Sequence, residues 1–550
     1  MLSLNLAVNL LCLCSAADAL RTSLPIRELR NQIRATSPAL DRRDVDPTTL
    51  YPAYNLSVPI DHFHNDSQYE PHSNGSFNLR YWFDATYYKP GGPVIVLASG
   101  ETSGEGRLPF LQKGIVAQLA NATGGLGVIL EHRYYGESWP VSDLSTASLR
   151  FLTTDQALAD TQFFAEHVVF EGLEDYDLSP SATPWIAYGG SYAGAFVAFL
   201  RKLYPATFWG AISSSGVTEA IYNYWQYYEA QRLYAPPDCV STLQKLTNVL
   251  DNILIGQNST KYKTQLKEAF GLGNLTYDDD FANVLSYGIA GWQSLNWDPA
   301  ESDPSVFEYC SNITSDSVLY PATADLQSDV EELLSVGGYS GEKSGLTNRM
   351  LNYIGYVNLT QVSQCSETQD ECFTNHNATF YGQDDISQEW RAWPYQYCTQ
   401  WGYLQTGSGV PSTQLPLISR LIDLDYNSII CRDAFNITTP SDVDAINKYG
   451  GFGISYPRLA IIDGEADPWR AATPHAFVAP NRTSTISEPF ILITGRAVHH
   501  WDENGLFPNE TTADLPPKPV AETQAQEAQF VQAWVDEWQQ RHGLAKGMFL

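Results

Sequence analysis

Trp185-Ile186-Ala187-Tyr188-Gly189-Gly190-Ser191-Tyr192-Ala193-Gly194 reads as a short apolar strand that passes through a turn of small residues directly into a helix. A serine at such a turn has its hydroxyl thrust clear of the strand, and the residues two positions either side of it must be small, because strand and helix approach too closely there for side chains. Gly189 and Ala193 meet that requirement, with Ala in place of the usual second Gly. Ser191 is therefore the candidate nucleophile, and the Tyr192 backbone N–H is aimed to stabilise an oxyanion. A bare Gly-Ser turn is common, so the strand before it and the apolar helix after it carry this reading.

Outward from the turn, strand and helix signals alternate. Pro93–Ala98, Gly127–Leu130 and Phe208–Ser213 are short apolar runs of the kind that form buried parallel strands. Thr153–Phe170 opens with a Thr-x-x-Gln capping box and continues as a helix. Close alternation predicts a parallel sheet covered on both faces. The rhythm breaks at about Thr218 and returns near Tyr449, with strands at Leu459–Ile462 and Phe490–Ile493 and a final helix around Glu522–Gln540. The expected fold is α/β, an α/β-hydrolase with a large, mostly helical inserted cap domain. Its divisions are 1–19 as a signal peptide, 20–45 as a leader or pro-segment, 46–217 and 450–550 as the two parts of the hydrolase domain, and 218–449 as the cap.

A serine is a weak nucleophile until a neighbouring base takes its proton, so a carboxylate and a histidine are required downstream. The last apolar strand is followed by His499-His500, and the one before it by Asp463-Gly464-Glu465-Ala466-Asp467-Pro468-Trp469. Both loops fall at the carboxyl edge of the sheet, where open α/β sheets keep their sites. Spacing alone leaves either histidine as the base and any of three carboxylates as the acid; position in the loop favours Asp467. A second oxyanion donor is expected from the glycine loop Ser99–Gly106, at Gly100 or Glu101. The chemistry calls for no cofactor and no metal.

The bulk properties set the environment. Residues 1–19 form a short apolar run ending in Ala17-Asp18-Ala19, which reads as a secretory signal and is too short to span a membrane comfortably. Beyond it remain Cys239, Cys310, Cys365, Cys372, Cys398 and Cys431, an even set consistent with up to three disulfides whose pairing the sequence does not choose. Glycosylation sequons begin at Asn55, Asn65, Asn74, Asn121, Asn258, Asn274, Asn312, Asn358, Asn377, Asn436, Asn481 and Asn509. Together these predict a glycosylated extracellular or vacuolar protein. The formal charge of -30 repels nucleic acid and anionic membrane surfaces and suits an acidic medium.

Several runs resemble one family closely: the prolyl carboxypeptidase and dipeptidyl peptidase II family of serine peptidases, which includes fungal acid prolyl endopeptidases. The runs are Asp61-His62-Phe63, Phe77–Trp82, the loop at Gly100, Glu131-His132-Arg133-Tyr134-Tyr135-Gly136-Glu137-Ser138, Gly189–Gly194, Asp467-Pro468-Trp469 and His499. The resemblance implies Ser191 as nucleophile, Asp467 as orienting acid and His499 as base, with His500 a bystander. Asp463 stands where the family usually has Asn, which either raises the histidine pKa or replaces a hydrogen bond. Glu131, His132 and Arg133 read as a buried polar network beneath the site. The implied substrates are peptides cleaved after proline through an acyl-enzyme, by a carboxypeptidase or dipeptidyl-peptidase. Prolyl endopeptidase, carboxylesterase or lipase, and non-enzymatic binding protein are the alternatives, and a homodimer is left open. Trp393, Tyr395, Tyr397 and Trp401 are either cap core or a flat pocket for a pyrrolidine ring.

Overall fold

The computed structural model describes residues 47–543 other than residue 258, so the signal, the leader and the Asn258 sequon lie outside the described residues. Eight strands form one sheet: β1 (Tyr54–Pro59), β2 (Ser76–Asp84), β3 (Val94–Ala98), β4 (Leu126–Leu130), β5 (Trp185–Gly190), β6 (Gly210–Ser214), β7 (Leu459–Gly464) and β8 (Phe490–Ile493). Their order is β1-β2-β4-β3-β5-β6-β7-β8. From β4 to β8 all neighbours are parallel. The expectation of a wholly parallel sheet is corrected at one edge, where β1 and β2 pair antiparallel and β2 meets β4 antiparallel. β1 alternates exposed and covered residues along its length, the pattern of an edge strand with one solvated face.

The central strands are apolar throughout because both faces are buried. Val94 and Val96 of β3 pack with Ala187, Leu158 and Phe199, while Ile95 and Leu97 point the other way, into a second core with Ile186, Ile212, Leu119, Phe530 and Trp534. The helices serving these faces are α1 (Ile115–Thr123), α2 (Thr154–His167), α3 (Tyr192–Leu203) and, after the last strand, a long helix at Lys518–Arg541. In α2 the Thr153 hydroxyl caps Gln156 N as predicted, but the Gln156 side chain turns away to serve Asp61 and His62 N. The box is half made because a buried carboxylate claims the glutamine.

Between β6 and β7 the chain leaves the sheet. A two-stranded parallel ribbon, Ile221–Asn223 with Gly402–Leu404, brackets helices at Pro237–Asp251, Ser305–Ile313, Gln327–Val336 and Lys343–Thr360. Cys239–Cys310, Cys365–Cys372 and Cys398–Cys431 are bonded, all within this region. No described helix is long and apolar enough to cross a membrane.

Candidate active site

Ser191 is the single residue between β5 and α3, at φ 59° and ψ -123°. That region is unfavourable for an L side chain and persists only where the surroundings impose it. Ser191 N donates to Ser214 O of β6 at 2.9 Å, and Ala195 N donates to Ser191 O at 3.1 Å. The small neighbours are explained by close approach. A Cβ on Gly189 would lie 2.2 Å from Ala193 O, and one on Gly194 would lie 2.7 Å from Ser214 O. The Ser191 hydroxyl is buried and has no hydrogen-bond partner among the described residues.

His499 follows β8 in a buried loop, with Nδ1 2.9 Å from Asp467 Oδ2. Asp467 in turn accepts from Trp469 N at 2.8 Å, which fixes the carboxylate in the turn after β7. An Nδ1–H given to Asp467 leaves Nε2 as the acceptor, and Nε2 has no partner among the described residues. Burial opposes charge on Asp467, but the facing imidazole and two hydrogen bonds hold its carboxyl below the usual range. Burial also lowers the His499 pKa, against the opposing pull of Asp467. A lowered value keeps the imidazole neutral, and so able to accept a proton, into mildly acidic solution.

The adjacent histidine goes the other way. Although burial opposes its charge, His500 is raised by Glu503, whose Oε1 lies 2.6 Å from His500 Nδ1. Glu503 is correspondingly held low, chiefly by His500 against its own burial. A Cβ on Gly190 would meet this pair, 3.0 Å from Glu503 Oε2 and 3.3 Å from His500 Cγ. The other two carboxylates of the acid loop are engaged elsewhere: Asp463 with His475 Nδ1 at 2.6 Å, and Glu465 with Arg496 N at 2.6 Å. Asp463 thus serves a different histidine from the one Asp467 orients.

Gly100, at φ +74°, packs against the first turn of α3, where its own Cβ would stand 3.3 Å from Ala193 Cβ. The loop after β3 and the Tyr192 end of α3 therefore share one corner. Glu101 is half-buried there, and burial raises its carboxyl despite Arg107 and His500.

Beneath that corner lies the polar network. Glu131 accepts from Arg80, Gly104 N, Glu137 N and Ser138 Oγ, while Arg133 holds Asp160 at 2.6 and 2.7 Å. His132 is pushed by burial to about 4 and is neutral. Its Nδ1 faces Arg133 O at 2.7 Å and so carries the proton; Nε2 accepts from Tyr192 OH at 2.9 Å. The Glu131–Arg133 run thus ends on the residue whose main-chain N–H is the candidate oxyanion donor. Trp393 and Trp401 pack edge-on against the Tyr192 ring with centroids 5.6 and 5.0 Å away, and Tyr397 is buried with them. They serve as core around the Tyr192 side chain.

Sequence reasoning missed the contacts from residues 224–297 that hold the loops carrying Asp467 and His499. Trp292 Nε1 donates to Ala466 O at 2.9 Å, Trp469 Nε1 to Gln293 Oε1 at 2.7 Å, and Tyr224 OH to Pro468 O at 2.8 Å. Trp297 Nε1 donates to Trp501 O at 2.7 Å, and Trp501 Nε1 returns a bond to Leu295 O at 3.0 Å. The tryptophan-flanked stretch Trp292–Trp297 was the available signal. Among the described residues, two groups of side chains have metal-ligand atoms within 4.8 Å of one another, Asp61 with His64 and His72, and Asp279 with Asp280 and His376. Neither includes a residue of this site.

Residues 59–513 match the family model described as serine carboxypeptidase S28. A protein named probable extracellular serine carboxypeptidase from Arthroderma benhamiae is 54% identical over 530 residues, covering 95% of this chain and 74% of its own length. Serine protease vicPa from Bipolaris victoriae is 30% identical, with 89% of each chain covered. Among solved structures, proline iminopeptidase from Mycobacterium smegmatis matches with TM-score 0.34 and 12% identity over 88% of this chain and 99% of its own.

Proposed function

The chain belongs to the serine carboxypeptidase S28 family, and from that premise we propose that it is a secreted peptidase that hydrolyses peptides on the carboxyl side of proline through an acyl-enzyme on Ser191. Membership makes it a serine-type peptidase. Three disulfides suit an oxidising compartment. We take 46–217 and 450–550 as the catalytic domain and 218–449 as the cap that restricts entry.

One observation carries the assignment of roles. Ser191 Oγ and His499 Nε2 are both buried without a partner among the described residues, and His499 is held by Asp467 at its other nitrogen. In the first step Ser191 Oγ gives its proton to His499 Nε2 and bonds to the scissile carbonyl carbon. The resulting oxyanion is met by the Tyr192 N–H and by a main-chain N–H at Gly100 or Glu101. The imidazolium, stabilised by Asp467, then protonates the leaving amine, and the C–N bond breaks. Water attacks the ester with His499 again as base and restores the serine.

The preference for proline rests on the Glu131–Ser138 and Asp467–Trp469 runs and their resemblance to prolyl peptidases. The test is hydrolysis at about pH 4 to 5, where carboxylates begin to neutralise, of matched proline peptides blocked at the amino terminus, the carboxyl terminus or both. Carboxypeptidase action requires the free carboxyl end, and dipeptidyl-peptidase action the free amine. Equal cleavage when proline is replaced by leucine would remove the specificity, and cleavage of the doubly blocked peptide would make it an endopeptidase.

A further inference from the structure

Asp502 sits three residues beyond His499 and is fully buried. Its Oδ2 accepts from Tyr188 OH at 2.7 Å and its Oδ1 from Ser214 Oγ at 2.5 Å. Tyr188 lies in β5, three residues before Ser191, and Ser214 is the β6 residue whose carbonyl holds the Ser191 N–H. One carboxyl thus ties the histidine loop to both strands that fix the serine. The same loop is held from behind, where Gln524 Nε2 of the C-terminal helix Lys518–Arg541 donates to Asp502 O at 2.9 Å and to Asn504 O at 2.7 Å.

Glu527, one turn further along that helix, interacts through its side chain with Asp502. It is 0% exposed, and neither of its carboxyl oxygens meets a donor among the described residues. The ionisable groups around the pair are Asp502 itself, Tyr188 from β5 and Glu503 from the histidine loop. His500 and Arg107 act on Glu503. Among the described residues no cation is directed at Glu527. Two carboxylates brought together in a buried place without a counter-charge do not both ionise, and the pair retains a proton. Asp502 already accepts two hydroxyl hydrogen bonds, which suit its charged form, so the retained proton belongs on Glu527.

We propose that Asp502 and Glu527 are positioning residues for the hydrolysis: a buried carboxyl pair that holds one proton, locks the His499 loop onto the strands carrying Ser191, and releases that loop as the proton is lost at rising pH. The proposal rests on the reading of Ser191 and His499 given above. Among the described residues neither carboxyl hydrogen-bonds to the side chain of Ser191, Asp467 or His499. Burial, and then the facing Asp502, push the Glu527 carboxyl well above its ordinary value, and burial raises Asp502 to about 6. A carboxyl raised in the folded state binds more proton there than in the unfolded chain, so its contribution is complete below the ordinary glutamate value and is lost as pH rises through the folded value. In that window the folding equilibrium falls about tenfold per pH unit for one such proton.

The experiment is urea unfolding of the full chain from pH 4.5 to 8, with kcat and KM on a proline peptide at pH 5, for wild type, Glu527→Gln, Asp502→Asn and Tyr188→Phe. The amide introduced by Glu527→Gln carries a donor toward Asp502 at every pH, so this variant should flatten the fall in stability above pH 5 by about tenfold per unit. Asp502→Asn should lower kcat at least tenfold with KM within twofold. Tyr188→Phe removes one hydroxyl without adding volume and should lower kcat several-fold in the same KM-neutral way, even if the Asp502 variant does not fold. A Glu527→Gln slope parallel to wild type overturns the proton-holding pair, and an unchanged kcat in Tyr188→Phe overturns the positioning role. Wild type without peptidase activity would instead sink the reading of Ser191, while the unfolding slopes would still report on the pair.

Discussion

The carboxyl edge of the sheet and the helical region above it are built by different means. At the sheet edge, Ser191 and Asp467 are held by main-chain contacts, Ser214 O on Ser191 N and Trp469 N on Asp467, with glycines at positions where a Cβ would collide with backbone, and His499 is held in turn by the Asp467 carboxylate. The helical region has all three disulfides and relies on long-range aromatic packing. The first kind of construction is dictated by close main-chain approach; the second is dictated by side-chain partners tens of residues apart, as in the 71- and 33-residue disulfide spans. On the proposed assignment the reacting groups lie in the part held by main-chain contacts, and the helical region lies over them as a separately braced unit.

The sharpest way to break this comparison is to remove the chemistry and ask whether anything else changes. Ser191→Ala should lower kcat by roughly 10⁶ while leaving the unfolding midpoint nearly unchanged, because its hydroxyl has no hydrogen bond among the described residues to lose. Asp467→Asn should cost about 10⁴ in kcat, since the amide no longer enforces the tautomer that leaves His499 Nε2 free. Steady-state kinetics beside circular dichroism melts check both. Should either variant unfold the helical region, the two parts are not as separable as their construction implies.

The place where the two parts meet gives a smaller effect. Trp292→Phe deletes the N–H that reaches Ala466 O, immediately before Asp467. A buried carbonyl left without its donor costs about 1–3 kcal/mol. Some of that should appear as a drop of roughly tenfold in kcat/KM, as the acid loop loosens. A loss confined to stability would place Trp292 wholly in the cap's own packing.

The boundary between what the sequence disclosed and what it did not follows the same division. The strand–turn–helix around Ser191 was legible because only small residues fit there, and α3 spans Tyr192–Leu203 as the pattern indicates. The doubly covered strands were legible as unbroken apolar runs. The antiparallel β1–β2 edge was not, since a half-exposed strand has a weaker pattern and its partner lies across a loop. Spacing left Asp463, Glu465 and Asp467 open and loop position and the family resemblance favoured Asp467, but where the other two go was not legible, because only tertiary contact assigns Asp463 to His475 and Glu465 to Arg496 N. The cysteine pairing and the tryptophan contacts to the Asp467 and His499 loops depend on tertiary proximity, and no local rule encodes them.

The disulfides offer the effect that should be smallest on rate and so the finest test of the comparison. Cys239–Cys310 closes 71 residues and Cys365–Cys372 closes 7. In the chain-entropy account, removing the first by paired serine substitution should destabilise the helical region by about 4 kcal/mol and removing the second by about 2 kcal/mol. Neither disulfide touches the sheet edge, so kcat on a small proline substrate should stay within about twofold at temperatures where the protein remains folded. Cys365 is also half-buried while Cys239 and Cys310 are buried, so the longer bridge leaves two orphaned hydroxyls when cut and the difference between the variants should widen. Denaturant melts of both pairs, followed by kcat on each, decide the matter: a tenfold fall in rate for Cys239→Ser/Cys310→Ser would mean that the helical region sets the catalytic geometry as well as access to it.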